Sequence, residues 1–165
     1  MTDGAREQAR INWLTLLPMT LYTASIGFAA QEAGSPKLGI LLQSHASEIV
    51  LQACLSQSVP TLIASRPGPI HLARGLRVLP NHVLPDAPYP QFLVISGFES
   101  LTTLELAYVR ACLVRGSQVI WIGPSFPDSF ASMPLKPGQE IRRLDVEQLA
   151  DYLKGISQNA SEHPD

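Results

Sequence analysis

Four short apolar runs recur along the chain, at residues 13–17, 38–42, 61–64 and 92–95, and a fifth follows a Gly-Ser break at 118–122. Each is four or five residues long and lacks polar alternation, the pattern of strands covered on both faces. The segments between them read as helices. Residues 20–33 end at Gly34, and residues 47–58 start behind a hydroxyl cap, carry Glu48 in the first turn and stop before Pro60. Residues 101–115 have the clearest helical period, with Leu101, Leu104, Tyr108, Ala111 and Cys112 on one face and Gly116 as a stop. Strands alternating with helices predict a parallel sheet joined by right-handed crossovers. The expected fold is therefore three-layer α/β, a mostly parallel sheet of about five to six strands with helices on both faces, RecA-like or Rossmann-like.

Two stretches interrupt this rhythm. Residues 66–90 hold six prolines and two glycines around a short strand expected at 76–79. Residues 124–138 hold four more prolines and read as a surface loop, followed by a short strand at 140–144 and a last helix at 146–155. A polar lead-in at 1–10 and a polar tail at 157–165 flank a single domain at 11–156.

Composition agrees with one globular domain. Of the 165 residues, 45% are hydrophobic and 16% charged, which favours a packed core and an adhesive surface over disorder. The uncharged stretch 11–31 follows Arg6 and Arg10, but Pro18 and the hydroxyls of Thr15, Thr20, Tyr22, Thr23 and Ser25 interrupt its hydrophobicity. A buried strand and an apolar helix are expected there, with no membrane partner and a cytoplasmic location. Cys54 and Cys112 lie far apart in apolar surroundings, so buried free thiols are expected in place of a disulfide or zinc motif.

In a parallel α/β sheet, ligands lie beyond the carboxyl ends of the strands, so those positions carry the candidate chemistry. After the first run stands Pro-Met-Thr, without phosphate-cradling glycines or a lysine, and no dinucleotide-binding glycine turn occurs. Ser44, His45, Ser65 and Ser96 end the next three runs and form a candidate strand-end pocket. Ser96 precedes a helix, yet a nucleophile elbow needs glycine where Val94 stands. The histidines have no metal-ligand spacing, so no catalytic residue, metal or cofactor is expected. From Ile49 to Pro85 no acidic residue occurs, while Arg66, His71, Arg74 and Arg77 are present, a candidate surface for an anion or an acidic partner. Residues 66–82 contain no aromatic side chain, which disfavours a nucleic-acid partner bound by base stacking.

Two family resemblances follow from these runs. The order of elements over residues 11–123 resembles a RecA/KaiC-type ATPase core, with Gln91-Phe92-Leu93-Val94-Ile95-Ser96 similar to a Walker B strand that carries Ser96 in place of its aspartate. With the Walker motifs missing, that resemblance implies a binding or regulatory subunit. Residues 75–80, 84–88 and 92–97 are also similar to class I glutamine amidotransferase-like proteins of the PfpI type. In that family the strand after the following helix leads to a nucleophilic cysteine, whereas here it reads Val119-Ile120-Trp121-Ile122-Gly123-Pro124. Both resemblances imply a domain without catalysis, expected to bind a protein partner or its own copy. The alternative is a small-molecule enzyme or pseudoenzyme of the amidotransferase-like type, and a third reading is a nucleic-acid or anion binder through Arg66, Arg74 and Arg77.

Overall fold

The computed structural model describes residues 36–44, 46, 48–97 and 100–161, with side chains as far as residue 158. The strand and helix expected at 13–17 and 20–33 lie outside the described residues, as does His45. In chain order the elements are β1 (Leu38–Leu42), α1 (Glu48–Leu55), β2 (Thr61–Ala64), β3 (Ile70–His71), β4 (Arg77–Val78), β5 (His82–Val83), β6 (Phe92–Ser96), α2 (Thr103–Val114), β7 (Gln118–Ile122), α3 (Asp128–Ala131), β8 (Ile141–Leu144) and α4 (Val146–Ser161). Six strands form one sheet in the order β5-β2-β1-β6-β7-β8, parallel at every pairing. Counted along the chain, that order is 3-2-1-4-5-6, a doubly wound sheet of the Rossmann-like kind. Among the described residues no helix is long and apolar enough to cross a membrane.

The apolar runs are strands because both of their faces are covered. Successive side chains of a strand point to opposite faces, and the chain divides accordingly. Leu38, Ile40 and Leu42 of β1 join Phe92 and Val94 of β6 and Ile120 and Ile122 of β7 in one cluster, under α1 and α4. Leu41, Leu93, Ile95, Val119 and Trp121 form the other, under α2. A side chain as large as Leu or Ile contributes roughly 1.5–3 kcal/mol when fully buried, so a one-residue slip of any central strand would exchange its partners on both faces.

The proline-rich stretch takes the place of a helix in the second layer. Residues 84–91 cross from β5 to β6 over the face that holds Leu84 and Ala87. Tyr108 Oη donates to Pro88 O at 2.5 Å, Ser117 Oγ donates to Pro90 O at 2.6 Å, and Tyr89 stacks on Tyr108 beneath the Arg115 guanidinium. Pro90 lies so close to β1 that a Cβ on Gly39 would fall 2.7 Å from its ring, which explains glycine inside an otherwise bulky strand.

The structure corrects several local expectations. The strand expected at 76–79 is reduced to β4, which pairs antiparallel with β3 outside the main sheet. The main sheet instead gains β5, held beside β2 with help from Asn81, whose side chain accepts from Leu62 N and whose backbone N donates to Leu62 O, each at 2.7 Å. The loop expected at 124–138 contains α3, and α4 runs through Gly155 to Ser161, into the expected tail. Helix α2 buries Glu105, Tyr108, Val109, Cys112 and Leu113, while Leu104 is 40% exposed. The expected face is rotated because the capping box between Thr102 and Glu105 turns Glu105 inward.

Cys54 and Cys112 are free and buried, one in each cluster, on opposite sides of the sheet. Burial pushes the Cys54 thiol up to about 12 and the Cys112 thiol up to about 11. Both are neutral in the folded state at pH values where an unfolded chain begins to ionise them. Stability is therefore expected to hold below about pH 9 and to fall above it, by up to about 1.4 kcal/mol per pH unit for each thiol. Urea unfolding between pH 7 and 10.5 measures this, and thiol labelling in buffer should be far slower than in denaturant.

Candidate functional site at the carboxyl ends of the strands

The strand order reverses between β1 and β6, and at such a reversal the crossovers leave the sheet on opposite faces and open a crevice. Gln43, one residue beyond β1, is 8% exposed, and Glu105 in the first turn of α2 is 3% exposed. Gln43 Nε2 donates to Glu105 Oε2 at 3.2 Å, and the Thr102 backbone N donates to the same oxygen at 2.9 Å. Thr102 Oγ1 accepts in return from Glu105 N at 3.2 Å, completing a reciprocal cap. The carboxylate thus ties the end of β1 to the start of the helix that follows β6. Among the described residues Gln43 Oε1 is buried without a hydrogen-bond partner, and a Cβ on Gly97 would lie 1.8 Å from it. Gly97 is the residue that lets the buried amide lie against the end of β6.

Beside this junction is a cleft of about 390 Å³. Leu42, Ile70 and Leu104 supply its apolar lining, Ser44 and Ser65 supply hydroxyls, and Arg66 and Glu105 supply opposite charges. Two of the expected pocket serines, Ser44 and Ser65, therefore meet in one cleft with Arg66. Ser96 is buried in register with Leu42 and Ile122 and does not line it. His45 lies outside the described residues. Of the four candidates for an anion-binding surface, Arg66 parts from the other three. Arg66 lines the cleft, whereas His71 and Arg77 face each other across the β3–β4 hairpin and Arg74 lies in its turn. Sequence reasoning missed Glu105 and Thr102 as site residues, although Thr-x-x-Glu ahead of an apolar run is a legible capping signal.

The carboxyl end of β7, where the amidotransferase-like resemblance implies a cysteine, has a different construction. Gly123 stands there, and a Cβ on it would fall 2.7 Å from Nε1 of Trp121. That indole is fixed, since Nε1 donates to Ser125 O at 2.8 Å and its ring meets Phe130 edge-on. Arg143 closes the same turn by donating from Nε to Gly123 O at 3.3 Å and from Nη2 to Pro124 O at 2.5 Å. A nucleophile elbow presents its side chain outward, and here that space belongs to tryptophan. Among the described residues no group of three or more His, Cys, Asp or Glu side chains is placed to hold a metal ion.

No protein-family model matches the chain, and no curated protein matches it. Its fold is found among solved structures. DJ-1beta of Drosophila melanogaster is similar at 13% identity and a TM-score of 0.55, covering 76% of this chain and 90% of that one. A ThiJ/PfpI family protein from Pseudomonas syringae is similar at 13% identity and 0.52, covering 80% and 77%. An AraC family transcriptional regulator from Pseudomonas putida is similar at 13% identity and 0.51, covering 76% and 91%. These likenesses are of fold, and they match the second resemblance read from the sequence. The RecA-type resemblance is not supported, and the three similar structures are of other kinds.

The junction makes a quantitative expectation. Gly97→Ala should cost about 1–3 kcal/mol because Gln43 must leave its buried seat. In a Gln43→Ala background the same change should cost much less, a coupling of more than about 0.5 kcal/mol in a double-mutant cycle read by urea unfolding. Additive losses would contradict the close approach.

Proposed function

We propose that this chain is a pseudoenzyme of the class I glutamine amidotransferase-like type, one that holds a small molecule in the cleft at the strand-order reversal and forms no bond to it. The observation that carries this reading is Gly123 packed against the Trp121 indole where the resemblance implies a nucleophilic cysteine. Nucleophilic catalysis needs a thiol or hydroxyl with a base in reach. Both described thiols are buried within helices α1 and α2, and the hydroxyls of Ser44 and Ser65 have no histidine among the described residues lining the cleft.

The cleft has the attributes of a binding site without those of a reaction site. Its volume suits a small ligand, and its lining joins apolar walls to a few polar groups. Exposed Arg66 favours a carboxylate or phosphate. Glu105 spends Oε2 on Gln43 and Thr102, and among the described residues Oε1 accepts no hydrogen bond, which favours a hydroxyl or amino donor. A small organic acid carrying a hydroxyl or amino group fits this pairing.

Ligand-observed NMR with lactate, malate and glutamate tests the reading on the full chain. At least one should bind, and Arg66→Ala should weaken it about tenfold or more. Leu104→Trp, which fills the cleft from an exposed position, should abolish binding while leaving the fold intact. Binding that survives both variants, or absence of binding by all three acids, overturns the site. A covalent adduct in the mass spectrum after incubation with an electrophilic ester overturns the pseudoenzyme assignment.

A further inference from the structure

We propose that the outer face of the β3–β4 hairpin is a docking surface for an acidic segment of another protein. The register carries the first step. Ile70 pairs with Val78 and both are buried, at 7% and 4% exposure, so alternation turns the other pair, His71 and Arg77, outward on the same face. Residues directly opposite in an antiparallel ladder have Cβ atoms roughly 4.5–5.5 Å apart, so the Arg77 guanidinium and the His71 imidazole share one outward patch. Arg74 adds a second exposed guanidinium at the turn.

No carboxylate among the described residues pairs with these guanidinium groups. Among the described residues the one ion pair is Arg142 with Glu140, at 3.2 Å, far along the chain in β8. Glu48 does reach the hairpin, but its Oε1 accepts the backbone N–H groups of Arg74 and Leu76, at 3.0 and 3.4 Å. It therefore shapes the turn through the backbone, and among the described residues neither Arg74 nor Arg77 has an ion pair. Further bonds fix the turn, from Gly75 N to Leu72 O at 3.0 Å, from Leu72 N to Leu76 O at 2.8 Å, and from Ala73 N to Ala46 O at 3.1 Å. The cationic side chains project from a backbone ordered in advance, which lowers the entropy lost on docking.

Two features favour a protein partner over nucleic acid. Leu79 continues the alternation past Arg77 and Val78 and stands 48% exposed, an apolar contact beside the cations. The hairpin has no aromatic platform for bases, and its two-residue strands offer a short track for a phosphate backbone. An acidic segment with an apolar residue next to its carboxylates matches both the charge and the leucine. Arg66 belongs to the cleft, so this surface stands apart from the small-molecule reading.

The test uses the full chain and a fluorescein-labelled peptide of alternating Glu and Leu, followed by polarisation. Binding should weaken about tenfold or more on Arg74→Glu with Arg77→Glu, and should weaken steeply between about 0.1 and 0.5 M salt. The reversal Arg110→Glu with Lys154→Glu makes the same change in net charge elsewhere on the exposed surface and should alter binding less than about twofold. Arg66→Ala should leave peptide binding unchanged, which separates this surface from the cleft. If the hairpin reversal does not fold, Arg74→Gln with Arg77→Gln replaces it, with a loss of about threefold or more expected. The proposal is overturned if the wild-type chain does not bind the peptide, if the hairpin and control reversals lose binding equally, or if duplex DNA displaces the peptide at lower concentration than unlabelled peptide does.

Discussion

A parallel sheet covered on both faces leaves polar chemistry almost nowhere to stand except the ends of its strands. Inside this sheet each central strand has both backbone edges paired and both side-chain rows buried, so Leu38, Ile40 and Leu42 face one layer and Leu41 the other. A charge placed there would lose its hydration without a partner. The buried carboxylate of Glu105 is found at the helix start beyond β6, where two N–H donors meet it. The cleft, the junction and the β7 turn all follow from that exclusion.

The junction shows how a position near an active-site-like crevice can be structural and still matter for binding. Glu105 does not face the cleft as a free acid. One of its oxygens holds α2 to β1 through Gln43, and Gly97 makes room for that amide. Replacing an interaction of this kind with an apolar one of equal shape can be tolerated, but removing one partner strands the other in a dry site. The same logic applies at β7, where Trp121, Ser125 and Arg143 hold the turn. A larger residue at Gly123 would require rebuilding the packing around the indole.

The two interruptions of the α/β rhythm have opposite physical roles. Residues 84–91 are held flat against the sheet by Tyr108, Ser117 and the close approach of Pro90 to Gly39, so proline substitutes for a helix by being rigid and compact. Residues 70–78 instead form a hairpin that buries Ile70, Leu72 and Val78 and turns its charged side outward. One stretch is spent on closing the second layer and the other on presenting a surface.

What the sequence determined by itself is what depends on neighbours along the chain. The runs at 38–42, 61–64 and 118–122 are strands with the bounds their apolar length implies. The helix expected at 101–115 starts at its Thr-x-x-Glu cap and stops at Gly116, whose φ of +89° suits glycine. The two buried thiols were equally readable, because a residue type and an apolar setting are local facts. Tertiary structure alone decided the rest, for one reason: each item joins residues far apart in sequence. The strand order β5-β2-β1-β6-β7-β8 depends on which runs meet side by side, and no window of residues encodes it. Gln43 meets Glu105 across 62 residues, and Glu48 holds a hairpin turn 26 residues later, so neither contact can be read from one stretch of sequence. Pairing of β5 beside β2 likewise needed Asn81 brought against Leu62, since two residues of apolar pattern are too few to declare a strand until the sheet that receives them exists.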